Sequence, residues 1–119
     1  MILLLMILCH VVDDFVFQPI CLSRLKCKEE WKAYAEDRMY EHDYLMALFM
    51  HAMSWSIMIH LPLMFMTSVS SEKLFLSVSV NLVLHFIIDN LKANRHRLNL
   101  IEDQLLHLIQ IFGTFLILN

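Results

Sequence analysis

Four apolar stretches, at about residues 1–18, 44–67, 73–92 and 98–119, fill most of this 119-residue chain. Each approaches the roughly 20 residues that a helix needs to cross the hydrocarbon of a bilayer. One glycine and two prolines leave little material for turns or strands. Hydrophobic residues make up 59% of the sequence, against about 45–50% in an average soluble domain, and the mean hydropathy is +0.60. The expected fold is all-α: one integral membrane domain over residues 1–119, a four-helix bundle.

The first stretch is the shortest, and it spans only if Asp13 and Asp14 lie at the interface or in a shared cavity. It lacks a positively charged start and a small-residue cleavage site, which reads as a retained membrane segment and not a signal peptide. Pro62 should kink the second stretch. Between the first two lies "CLSRLKCKEEWKAYAEDRMYEHD", whose charges are mixed with Leu22, Leu25, Trp31, Tyr34 and Tyr40. That pattern suits a short amphipathic helix at the cytoplasmic headgroups. A solvated loop is the alternative.

Lysines and arginines set orientation. The first connection carries Arg24, Lys26, Lys28, Lys32 and Arg38, and the third carries Lys92, Arg95 and Arg97, whereas the second has only Lys73. Connections one and three are therefore expected in the cytoplasm of a bacterium, with both termini beyond its inner membrane. Cys9, Cys21 and Cys27 form no C-x-x-C pair, so neither a disulfide framework nor a zinc ribbon is indicated. A net charge of -3 with no basic groove gives no sign of a nucleic-acid partner.

Ionisable residues interrupt the apolar stretches in a pattern. His10 and Asp14 are four apart, and so are His85 and Asp89. Asp103 and His107 repeat the spacing in reverse order. Such pairs share one face of a helix, and seven histidines with six aspartates would by chance supply roughly 0.7 of them. Three are present. The first and third stretches run toward the cytoplasm and the fourth runs away, so the reversal puts all three pairs at one level, with each histidine about 6 Å deeper than its aspartate. His51 falls at a comparable depth.

Ionisable groups within a membrane usually face the bundle interior and mark function. Imidazoles with carboxylates suit a divalent transition metal, zinc first, in one or two ions. His10, Asp14, His51, His85, Asp89, Asp103 and His107 are the expected ligands. The alternative is interhelical hydrogen bonding. Asp13 also faces His10, but Asp14 is preferred. His60 lies on another face and reads as packing; His96 and His42 read as solvated or capping, with Asp43 beside them.

At His10, Asp14, Phe15 and Gln18, at His85, Phe86, Asp89 and Lys92, and at Asp103, Gln104 and His107, the chain resembles small bacterial and phage membrane proteins catalogued as domain of unknown function 3307. His51 fits the central histidine of that pattern. The resemblance covers nearly the whole chain; the long, charged first connection departs from it. The pattern is more distantly reminiscent of membrane-bound metal-dependent hydrolases, an analogy that does not fix function.

The leading expectation is a membrane-embedded metal-dependent hydrolase acting near the cytoplasmic leaflet on a phospholipid or polyprenyl phosphate. Asp14, Asp89 and Asp103 are its candidate catalytic carboxylates, and Lys92, Arg95 and Arg97 could hold a substrate phosphate or simply anchor against anionic lipid. The alternatives are not enzymatic. Ion or proton translocation would use Ser77, Ser79, Asn81, His60 and Thr114 in the outer half. An effector binding a host membrane complex, or a homo-oligomer, would use the His/Asp layer as a staple.

Overall fold

In the computed structural model, which describes residues 1–18, 20–34 and 40–119, every apolar stretch is helical. No strand occurs among the described residues. Helix α1 covers Ile2–Val12 and runs on through one π-helical turn at Asp13–Phe17. Helices α2 (Ile20–Leu25) and α3 (Lys28–Tyr34) are short. Helices α4 (Asp43–Met66), α5 (Ser71–Ala93) and α6 (Leu100–Leu118) are long. At about 1.5 Å per residue they measure roughly 36, 35 and 29 Å, against ~30 Å of hydrocarbon.

These three are long and apolar enough to cross a membrane. The first stretch is not among them, because its α-helix ends after 11 residues. The turn from Asp13 to Phe17 then widens, and Gln18 is extended (φ -87, ψ 91), as a residue preceding a proline should be. Pro19 itself lies outside the described residues. Helix α4 continues unbroken through the buried Pro62. The amphipathic segment forms two helices instead of one, and its residues 35–39 fall outside the described part. Asn94, at the end of α5, splits it: its Oδ1 accepts from the Lys28 amide at 2.6 Å and its Nδ2 donates to the Lys26 carbonyl at 3.0 Å. Helix α6 starts on a capping box, in which the Asn99 side chain accepts from the Glu102 amide and the Glu102 carboxylate accepts from the Asn99 amide.

Helix α4 packs on α1 and α5, and α6 packs on α5 and α1. The apolar core is Met6, Trp55, Ile59, Leu63 and Ile111. Outside it the distribution of polarity is inverted relative to a soluble protein. Phe65, Ile117, Phe75 and Ile101 are exposed, while His10, Asp13, His51, His85, Asp89, Asp103 and His107 are buried. An apolar exterior around a polar interior matches a lipid surrounding.

Candidate metal centre

The three His/Asp pairs and His51 meet in one layer. Asp89 is its hub. The Asp89 Oδ1 lies 3.6 Å from His85 Nε2 and 3.5 Å from His107 Nε2, and Oδ2 lies 3.5 Å from His51 Nε2. His51 Nε2 is also 3.4 Å from Asp14 Oδ1, and His107 Nε2 is 3.4 Å from Asp103 Oδ1. These separations exceed the usual 2.7–3.2 Å of an N–H···O bond. They match the roughly 3.4 Å edge of a tetrahedron whose ligands sit ~2.1 Å from a central ion.

The hydrogen bonds around the layer fix which atoms are available. His107 Nδ1 lies 3.1 Å from the Gln110 side-chain oxygen, so that nitrogen is the donor. Its Nε2 then turns toward Asp89 and Asp103 with no hydrogen-bond partner. A lone pair facing two carboxylates requires a cation, either a proton or a metal ion. His85 is wholly buried with neither ring nitrogen bonded, its ring stacked against Trp55 (4.2 Å) and against His107 (4.3 Å). Asp13 Oδ2, Asp14 Oδ1 and Asp103 Oδ1 are likewise buried without hydrogen-bond partners. Buried polar groups are almost always satisfied, so six such atoms in one layer are a strong departure.

Charge gives the same result. Asp13, Asp14, Asp89 and Asp103 all enter the layer. Two ammonium groups oppose them: Lys26 Nζ at 2.5 Å from Asp89 Oδ2 and Lys92 Nζ at 2.5 Å from Asp103 Oδ2. With every carboxyl ionised and every imidazole neutral, the carboxylates exceed the ammonium groups by two, an excess that one divalent cation or bound protons would offset, and an unpaired buried charge is costly. Two groups of candidate ligands share His85: Asp14, His51 and His85, and His85, Asp89 and His107, each with its ligand atoms within 4.8 Å of one another. The residues present therefore fit one or two ions.

His10 takes a different place. Trp55 Nε1 donates to His10 Nδ1 at 2.7 Å, which leaves the proton on Nε2 to be donated to Gln104 Oε1 at 3.1 Å. Gln104 Nε2 donates in turn to Asp14 at 3.3 Å and Asp103 at 3.2 Å. With both ring nitrogens engaged, His10 belongs to neither candidate group. Asp103 also stands outside them, although it touches His107. Lys92 reaches the layer through Asp103; Arg95 and Arg97 are exposed in the turn beyond α5.

Several participants escaped the sequence reading. Asp13 was set aside in favour of Asp14, yet both are turned inward, because the π-helical turn changes the angle between successive side chains. Asp13 Oδ1 accepts from Ser54 Oγ at 2.6 Å and its Oδ2 lies 3.7 Å from His51 Nδ1. Ser54 and Trp55 follow His51 by three and four positions, so helical spacing could have found them. Nothing local marks Lys26, whose contact is 63 residues away. With the Gln18 amide oriented to suit its neighbours, its oxygen accepts from Lys26 Nζ at 2.5 Å and its nitrogen donates to the Asp14 carbonyl at 3.2 Å.

His60 is buried outside the layer and holds α4 to α5, with Nδ1 at 2.7 Å from the Ser56 carbonyl and Nε2 at 2.8 Å from Ser77 Oγ. His42 and His96 are exposed.

A family model described as "Protein of unknown function (DUF3307)" matches residues 2–118, and the chain belongs to that family. No curated protein and no solved structure matches it.

Proposed function

We propose that this member of a family of unknown function is a membrane-embedded metal-dependent hydrolase whose centre is the His/Asp layer. One observation supports the proposal: four carboxylates, three of them buried, meet three imidazoles with unbonded or poorly bonded nitrogens and outnumber the two ammonium groups beside them, a donor set that suits a divalent cation. His51, His85, His107, Asp14 and Asp89 hold one or two divalent transition metal ions, zinc first. Such an ion supplies a Lewis acid toward a phosphoryl or carbonyl oxygen and activates water. Asp103 keeps one oxygen unpaired and lies outside both ligand groups, so it suits a general base. His10 and Gln104 orient Asp14 and Asp103.

In this reading α1 and its π-helical turn complete a four-helix bundle in a bacterial inner membrane. Helices α2 and α3 lie at the cytoplasmic headgroups, where the lysines and arginines concentrate, and both termini are on the opposite side. The substrate is a phospholipid or polyprenyl phosphate, its phosphate met by Lys92 with Arg95 and Arg97. The test is phosphate release from such lipids by the full chain in vesicles. Activity that a chelator removes and zinc restores supports the reading. Metal-loaded protein that hydrolyses neither lipid class overturns it.

A second reading, proton translocation, has one observation in its favour. A hydrogen-bonded chain leaves the layer from His107 through Gln110, Asn81 and Ser77 to His60. Two of its links are carboxamides, which do not readily exchange their protons, and two of its distances are 3.5 Å. Proton flux in vesicles that disappears with His60→Leu would put translocation first.

A further inference from the structure

The two oxygens of Asp89 have different surroundings. Oδ1 faces two imidazoles, His85 Nε2 at 3.6 Å and His107 Nε2 at 3.5 Å. Oδ2 faces one imidazole, His51 Nε2 at 3.5 Å, and one ammonium, Lys26 Nζ at 2.5 Å. Two-metal sites hold their ions about 3.5–4 Å apart, close enough for one carboxylate to give an oxygen to each. At Asp89 the second oxygen already carries a cation that belongs to the chain.

The fold builds Lys26 into that place. It lies between α2 and α3, buried, 63 residues from Asp89 in sequence. Its carbonyl accepts from Asn94 Nδ2 at 3.0 Å, and the Lys28 amide donates to Asn94 Oδ1 at 2.6 Å. Asn94 closes α5, the helix that also carries His85 and Asp89. The ammonium itself donates to the Gln18 side chain at 2.5 Å. Lysines are almost never buried unless paired, and this one is held through its backbone, its neighbour's backbone and its ammonium together.

The imidazole common to both candidate ligand groups leads to the same count. His85 belongs to Asp14–His51–His85 and to His85–Asp89–His107. A neutral imidazole has a single acceptor nitrogen, so it serves one ion. The His85 Nε2 faces Asp89 Oδ1, and the His85 ring stacks on that of His107, which puts it with the second group. Asp14 and His51 are then left without their third ligand. Charge agrees: with the carboxyls ionised and the imidazoles neutral, one divalent ion balances the layer, and two would leave it positive by as much as it was negative.

We infer that Lys26 is the second cation of the layer: one divalent transition metal ion binds at His85, Asp89 Oδ1 and His107, and the Lys26 ammonium holds Asp89 Oδ2, beside His51, in place of another. This rests on the metal reading of the layer and not on the layer being hydrolytic. A lysine ammonium is a compact charge with three donors, and being tethered it does not exchange with ions in solution. The centre then stays mononuclear whatever the metal supply. Its chemistry is that of one ion polarising a substrate oxygen and activating water, not of a two-ion clamp.

The test is zinc stoichiometry of the full chain in mild detergent, equilibrated by dialysis at a fixed free zinc concentration and read by elemental analysis. One equivalent per chain is expected in the parent and two in Lys26→Met, falling back to one in Lys26→Met combined with His51→Leu. A second pair of variants leaves Lys26 in place and decides the matter if Lys26→Met does not fold. In the parent background His107→Leu should lose more than half of the zinc, whereas His51→Leu should keep the full equivalent. Two equivalents in the parent, a single one in folded Lys26→Met, or loss of the ion in His51→Leu overturns the assignment and leaves the metal reading standing. A parent that takes up no zinc overturns both.

Discussion

Replacing His85 by leucine separates a metal centre from a structural hydrogen-bond cluster by the sign of its effect. His85 is wholly buried and neither ring nitrogen has a hydrogen-bond partner. Each unsatisfied buried group costs ~1–3 kcal/mol, and leucine fills a similar space without them. In chelator His85→Leu should therefore be as stable as the parent or more stable by about 1–3 kcal/mol. With zinc the order reverses. A ligand present at 100 times its Kd stabilises by about 2.7 kcal/mol. His85 belongs to both ligand groups; loss of an orienting partner alone costs 10–100-fold in affinity, and loss of a ligand at least as much. A 100-fold weaker site retains only about 0.4 kcal/mol of that stabilisation. The assay is unfolding in mild detergent, with chelator and with zinc, beside His60→Leu as control. His60 is equally buried but has both nitrogens bonded, so its loss should destabilise by about 1–3 kcal/mol in either condition. If His85→Leu proves destabilising in chelator and keeps the full zinc effect, the layer is a structural staple and the reasoning fails.

Lys26→Met should destabilise the metal-free protein by about 3–5 kcal/mol, since it leaves Asp89 buried without its ammonium; pairing it with Asp89→Asn should recover much of the loss in a double-mutant cycle. Trp55→Phe removes the donor to His10 Nδ1 and should lower stability by about 1–3 kcal/mol, measured by denaturation, with metal stoichiometry unchanged. Asn99→Ala breaks the α6 capping box and should cost about 1 kcal/mol; a concurrent loss of zinc affinity would show that the layer depends on that helix end.

The convergence of the layer was legible because it rests on periodicity and direction. Pairs at i,i+4 share a helix face, and the reversed order of Asp103 and His107 compensates for the reversed run of α6. The long helices were legible for the same reason, each within about two residues of its expected bounds. Four features were not. The π-helical turn at Asp13–Phe17 breaks the period on which the reading relied, so one aspartate was chosen where both are used. The split between α2 and α3 comes from Asn94, a contact no local pattern encodes. His10 has the spacing of a ligand, but Trp55 from another helix takes the nitrogen a metal would need. Lys92 was read from its charge as a phosphate binder or a lipid anchor, and its contact with Asp103, made by the hairpin between α5 and α6, was not foreseen.

The most direct measurement is elemental analysis of the full chain purified in mild detergent without chelator. One or two equivalents of a divalent transition metal per chain are expected, falling to less than half in His85→Leu. A parent protein that carries no such metal and takes up none on incubation with zinc, manganese or iron would contradict the account.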